Sequence, residues 1–321
     1  GRGDVFVDRQ AGIVDELLID HGDAAILHAL ADPNRAAIFA NIMRAGCVEA
    51  CASLATVGDR VIPKSSLSNH FKVLREAGVV VAGKLSPQRV QQHWRAVVDA
   101  GVDLFVIRGT TVSAEHVSKA GEQPLNLKQF IYELDVPVIV GGAAGYTPAL
   151  HLMRTGAAGV LVGFGGGAST TTRRAMGIRV PMATAISDIA EARRDYMDES
   201  GGRYVHVIAD GGVSTSGEIV KAIAMGADAV VLGAALARAT DAPGGGWHWG
   251  LEAAHPELPR GHRTHVGQVA PLEEVLWGPG RHADGTSNLM GGLKRAMATC
   301  GYTELKDFQK VEVLVTPTQT V

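Results

Sequence analysis

The chain has 321 residues, 46% hydrophobic and 20% charged, with a formal net charge of −3, an ordinary balance for a soluble globular protein with a full-sized core or two domains. No run of about 18 apolar residues implies a membrane span, and no secretory signal is visible. Three cysteines (Cys47, Cys51, Cys300) give no disulfide framework, so a cytoplasmic location is expected.

In chain order, Ile13 to Leu30, Arg35 to Ala45 and Cys51 to Val57 read as helices. Ser65 and Ser66 then offer an N-cap to a helix from Leu67 to Ala77, closed by Gly78. Leu67, Phe71 and Leu74 make its inward stripe, and Ser68, Asn69, Lys72 and Arg75 face outward. Ala29 to Arg35 and Lys64 to Gly78 resemble the winged helix-turn-helix repressors of the ArsR type. That resemblance implies a helical domain over 1–83 whose second helix enters the major groove of DNA. Residues 1–83 carry 8 Lys/Arg against 10 Asp/Glu, a poor balance for phosphate attraction, although Arg60, Lys64, Lys72 and Arg75 stand in 60–75 with no acid. Cys47 and Cys51, one helical turn apart, read as two small buried side chains, and no metal site is expected.

From residue 84 to 321 the grammar changes to alternating apolar strands and helices. Strands are expected at Asp103 to Ile107, Pro137 to Val140, Gly159 to Val162, Val205 to Ala209 and Asp228 to Leu232, with a weaker one at Val79 to Val81 that extends toward Leu85. Helices are expected between them, at Gln88 to Ala100, Leu127 to Leu134, Thr147 to Thr155, Asp188 to Glu199 and Glu218 to Met225. Strict alternation of this kind argues for a parallel sheet covered by helices. Glycine turns at many successive strand ends favour a (β/α)8 TIM-type barrel over a doubly wound sheet. Cys300, between Met297 and Tyr302, reads as packing a terminal helix, and His206 as a satisfied core residue.

Three of those strand ends carry the candidate chemistry. Gly163, Gly165 and Gly167, with Ser169, Thr170 and Thr172, form a glycine-rich loop after the strand that ends at Val162. Asp210-Gly211-Gly212 and Gly233-Ala234 end the next two strands. Side-chain-free turns on neighbouring strands expose backbone N–H groups on one rim, which is how barrels hold a phosphate, and Asp210 at a strand tip could accept from a ribose diol. The stretch Trp247 to Val266, rich in His and Arg, reads as a flap or a surface loop.

Together these segments resemble the IMP dehydrogenase and GMP reductase family, over about Leu74 to Val315. The resemblance implies a purine mononucleotide as ligand, NAD or NADP as cofactor, and a homotetramer. It implies that Asp210 holds the ribose hydroxyls, that Gly211, Gly212, Gly233 and Ala234 hold the phosphate, and that Arg108 and Gly109 lie near the nicotinamide. It also makes Arg263, on the flap, a general base or phosphate contact. Three positions depart from the family pattern: its loop cysteine is Thr170, its loop serine is Ala168, and its aspartate after the fourth strand is Arg108. A threonine hydroxyl is a far weaker nucleophile than a thiolate, so IMP oxidation is expected to be weakened or lost. The barrel is expected to lack its first two βα units, and a DNA-binding regulator with a nucleotide-sensing barrel remnant is the alternative reading.

Overall fold

In the computed structural model, which describes residues 56–57, 60–61, 80–109, 125–242, 244–249 and 263–314, six short apolar runs lie side by side in one parallel sheet. They are β3 (Ala82–Leu85), β4 (Leu104–Arg108), β5 (Val138–Ala143), β6 (Gly159–Val162), β7 (His206–Asp210) and β8 (Ala229–Val231), paired in sequence order. A short antiparallel pair, β1 (Thr56–Val57) and β2 (Arg60–Val61), precedes them. Sequential order without a switch point is the barrel pattern, and the six strands form a curled half-barrel.

The crossovers are α1 (Val90–Asp99), α2 (Leu127–Glu133), α3 (Tyr146–Arg154), α5 (Met182–Ser200) and α6 (Ser216–Ala224); a short α4 (Thr172–Met176) stands between β6 and α5. Each turns an apolar stripe onto the sheet. On α6 the inward residues are Ile219, Ala222 and Ile223, the ones expected from sequence. β6 is buried along its whole length, as a central strand covered on both faces must be. Phe105, Ile107, Val140, Val160 and Val207 are sealed from solvent between sheet and helices. After β8 come α7 (Ala234–Ala237), a ribbon of β9 (Trp247–Trp249) with β10 (Arg263–His265), then α8 (Leu272–Trp277), α9 (Leu289–Thr299) and α10 (Leu305–Phe308).

Several expectations need correction. The helix expected to run to Val57 does not: Thr56 and Val57 are extended and pair with Val61 and Arg60. Two β-branched residues followed by Gly58-Asp59 are a hairpin signal, and it outweighed helical spacing. α5 starts at Met182, a turn and a half before Asp188, because Pro181 delivers the chain in extended form into its first turn. Cys300 is exposed at the end of α9, where Met297 is buried instead. The expected recognition helix, with Ser68, Asn69, Lys72 and Arg75, and the Cys47–Cys51 pair lie outside the described residues.

Candidate functional site

The β7–β8 register pairs Asp210 with Val231, and the chain leaves these neighbouring strand ends through Gly211-Gly212 and through Leu232-Gly233. Strands so paired are about 4.8 Å apart, which puts both turns within reach of one anionic group. Gly211 and Gly212 both have positive φ, 128° and 76°, a succession that side chains oppose and glycine allows.

The loop after β6 folds onto this turn, backbone to backbone. A Cβ on Gly166 would lie 3.1 Å from the Gly211 carbonyl, and one on Gly212 would lie 3.0 Å from the Gly166 oxygen. Gly163 and Gly165 carry the chain through φ of 100° and 75° to make that approach, whereas a Cβ on Gly167 would meet nothing within 4 Å. Gly167 therefore borders the open side of the loop. Thr170, in the position expected to be nucleophilic, accepts a hydrogen bond on Oγ1 from the Thr172 N–H at 3.3 Å, as a local turn contact ahead of α4. Thr172 is buried beneath it.

Ser169 is buried and donates from Oγ to the His248 carbonyl at 2.7 Å, which ties the loop to the β9–β10 ribbon. The His248 ring lies against the other glycine turn: a Cβ on Gly233 would sit 2.9 Å from His248 Cε1 and 3.4 Å from Nε2. Burial there pushes the imidazole below its ordinary value of 6.5, so the ring favours its neutral form. Sequence reasoning placed His248 in the Trp247 to Val266 stretch, read as a flap or a surface loop, without singling it out. No local spacing marks it, because only docking of the ribbon brings it to Gly233.

Arg263 faces outward. It is exposed, with its guanidinium 4.6 Å above the Trp247 ring, and Trp247 in turn meets His265 edge-on. Arg108 behaves differently. From the tip of β4 its Nε donates to Asp210 Oδ2 at the tip of β7, with β5 and β6 between the two strands. Both side chains are largely buried, at 16% and 4% exposure. The next residue, Gly109, continues the sheet pattern by donating to the Gly141 carbonyl at 2.8 Å. The structure thus assembles Gly163 to Thr172, Asp210 to Gly212, Gly233, Ala234 and Arg108 at one rim, and sets the exposed Arg263 over Trp247 on the ribbon.

The opposite end of the sheet holds a second polar cluster, which sequence reasoning missed. Asp228, just before β8, accepts from Arg193 Nη1 at 2.6 Å, Tyr204 Oη at 2.6 Å, Lys306 Nζ at 2.5 Å, Gln309 Nε2 at 3.0 Å and the Val207 N–H at 2.8 Å. Burial alone would raise its pKa, but the charges of Arg193 and Lys306 and the bonds from Lys306 and Tyr204 hold it down at about 2. His206, on the adjacent strand, places Nδ1 4.0 Å from the same carboxylate. Polar groups at the N-terminal face of a barrel serve stability, whereas those at the C-terminal rim serve chemistry.

A family model described as IMP dehydrogenase / GMP reductase domain matches residues 19–249. Proteins called uncharacterized oxidoreductases from Mycobacterium leprae and Mycobacterium bovis are each 58% identical over 245 residues, 75% of this chain. The chain spans 65% of the length of these relatives. The inosine-5′-monophosphate dehydrogenase of Methanocaldococcus jannaschii is 30% identical over 273 residues, 77% of this chain and 53% of its own. The crystal structure of an IMP dehydrogenase/GMP reductase-like protein from Corynebacterium glutamicum superposes with a TM-score of 0.72 at 45% identity, covering 97% of this chain and 81% of that one. With a curled parallel sheet, glycine turns after the adjacent strands β7 and β8, and a family match over more than half its length, this chain belongs to the IMP dehydrogenase/GMP reductase family.

Proposed function

We propose that the rim binds a purine mononucleotide and that the chain is an oxidoreductase of the IMP dehydrogenase/GMP reductase class whose chemical step is weakened or lost. The observation that carries this reading is the pairing of Asp210 with Val231 at the ends of β7 and β8, from which the Gly211-Gly212 and Gly233 turns leave adjacent strands, with the loop of Gly163 to Thr172 packed on the first of them. In this reading the backbone N–H groups of Gly211, Gly212, Gly233 and Ala234 take the phosphate, and the Asp210 carboxylate accepts from the ribose. His248, beside Gly233, closes the cradle on the ribbon side.

The weakness lies in the nucleophile. Thr170 stands where the family pattern has a cysteine, and its hydroxyl oxygen already accepts the Thr172 N–H. A hydroxyl of ordinary pKa attacks a purine carbon far more slowly than a thiolate does.

The cofactor of the class would be NAD or NADP. The Arg108 guanidinium beside Gly109 is engaged by Asp210 in a charge-balanced pair. The test is thermal unfolding with IMP, GMP and inosine, beside absorbance at the reduced-nicotinamide band with NAD(P)+ or NAD(P)H. Stabilisation by the monophosphates but not by inosine, with turnover slow or absent, is the expected result. Equal indifference to all three would remove the binding reading.

A further inference from the structure

The contact between Arg108 and Asp210 joins two strand tips that are not neighbours in the sheet, and no packing requirement explains it. β4 and β7 are separated by β5 and β6, so the arginine extends past two strand ends to reach the carboxylate. Only Nε is used. Among the described residues, Nη1 and Nη2 take no hydrogen bond, and the carboxylate is engaged through Oδ2 alone, with Oδ1 bonded to none of them. The contact holds the carboxylate in one orientation.

The pair presents an unusual combination: an anionic acceptor, Oδ1, next to two unused N–H-bearing nitrogens in a rigid fork. A lone carboxylate offers acceptors only. A vicinal diol has the complementary pattern, because one hydroxyl can donate to Oδ1 while an oxygen of the pair accepts from the fork. A sugar with a single hydroxyl satisfies one half and leaves the other desolvated without a partner, which is the costly outcome.

We propose that Arg108 is a specificity-determining residue of this rim: paired with Asp210, it makes the site select a vicinal diol, and so a ribonucleotide over its 2′-deoxy counterpart. This rests on the nucleotide reading above and adds a role for Arg108. Arg108→Lys keeps the charge but loses the fork, and Arg108→Gln loses the charge while keeping two donors and much of the length.

The test measures dissociation constants of IMP and 2′-deoxy-IMP by calorimetry on the unaltered chain, Arg108→Lys and Arg108→Gln, with a thermal melt of each. The unaltered chain is expected to prefer IMP by about tenfold or more. Arg108→Gln should reduce that preference to about threefold or less, chiefly by weakening IMP, with Arg108→Lys in between. The 2′-deoxy ligand serves as an internal standard, since a misfolded variant would lose it as well, and Arg108→Lys then decides alone. An undiminished preference in both folded variants overturns the proposal, as does equal binding of the two nucleotides by the unaltered chain, although the nucleotide reading then survives. Failure of both nucleotides to bind the unaltered chain removes that reading, and this proposal with it.

Discussion

Gly163 is the residue on which the rim turns. Its φ of 100° lies where side chains rarely go, and a Cβ there would fall 2.2 Å from Met182 Sδ and 3.1 Å from the Asp210 carbonyl oxygen. Gly163→Ala should therefore destabilise the fold by about 2 kcal/mol or more, seen as a lower midpoint in urea. Asp228 is its counterpart at the far end. Asp228→Asn would strand the buried Arg193 guanidinium and should cost about 3 kcal/mol by the same measurement at neutral pH. Acid should act on the same cluster. The folded pKa of about 2 lies below the ordinary 3.8, so the contribution is complete above 3.8 and disappears as pH falls toward 2. The loss is on the order of 2 kcal/mol and would show as a midpoint falling with pH across that window. At this scale the sequence was readable where one residue type has one use, as with the successive glycines 211 and 212. It was unreadable at Asp228, whose five partners come from α5, from Tyr204 ahead of β7, from β7 itself and from the α10 turn, at separations no local pattern records.

Among elements, the β9–β10 ribbon is the one whose attachment can be loosened selectively. It is held to the glycine loop by the bonds from Ser169 to the His248 carbonyl and from Thr264 Oγ1 to the Ala168 carbonyl, and just past β10 the Val266 carbonyl accepts from Arg238 Nε at 3.3 Å. Ser169→Ala should leave that carbonyl short of a partner at a cost of about 1 kcal/mol, and should speed hydrogen exchange in the ribbon before the sheet is affected. The depressed His248 pKa gives the ribbon a pH response of defined sign. The neutral ring is favoured in the folded state, so its stability is complete above the ordinary 6.5 and declines as pH falls below it. Trp247 fluorescence should report loosening on the acid side, and His248→Gln should remove the pH dependence while leaving the ribbon in place. Elements were legible in proportion to their punctuation. β6 was read to the residue, because Gly159 and Gly163 bracket an unbroken Val-Leu-Val run. β8 reads one residue longer at each end than it forms, because Asp228 is committed to the polar cluster and Leu232 already leads into the Gly233 turn.

For the whole molecule, the sheet has a strong middle and two weaker flanks. Among the described residues, β3 and β8 are each paired on one side only, whereas β5, β6 and β7 are paired on both. Native-state hydrogen exchange should be slowest for amides of β5 to β7 and measurably faster in β3 and β8; uniform protection across all six would mean that the outer strands are paired on both sides. The alternating grammar from residue 84 onward made the parallel order legible, since short βαβ connections allow few other arrangements. The curl was legible only through the recurrence of glycine turns at one end of successive strands. The family match begins at residue 19, well inside the stretch whose sequence resembles a winged helix.

The division of labour between the two ends has a consequence for how this molecule tolerates change. Among the described residues, the carboxylate that clamps Lys306 and Gln309 of the α10 turn to the underside shares no side-chain hydrogen bond with the loop that bears Thr170. A change of side chain at the upper rim therefore leaves the bonds of this lower cluster in place.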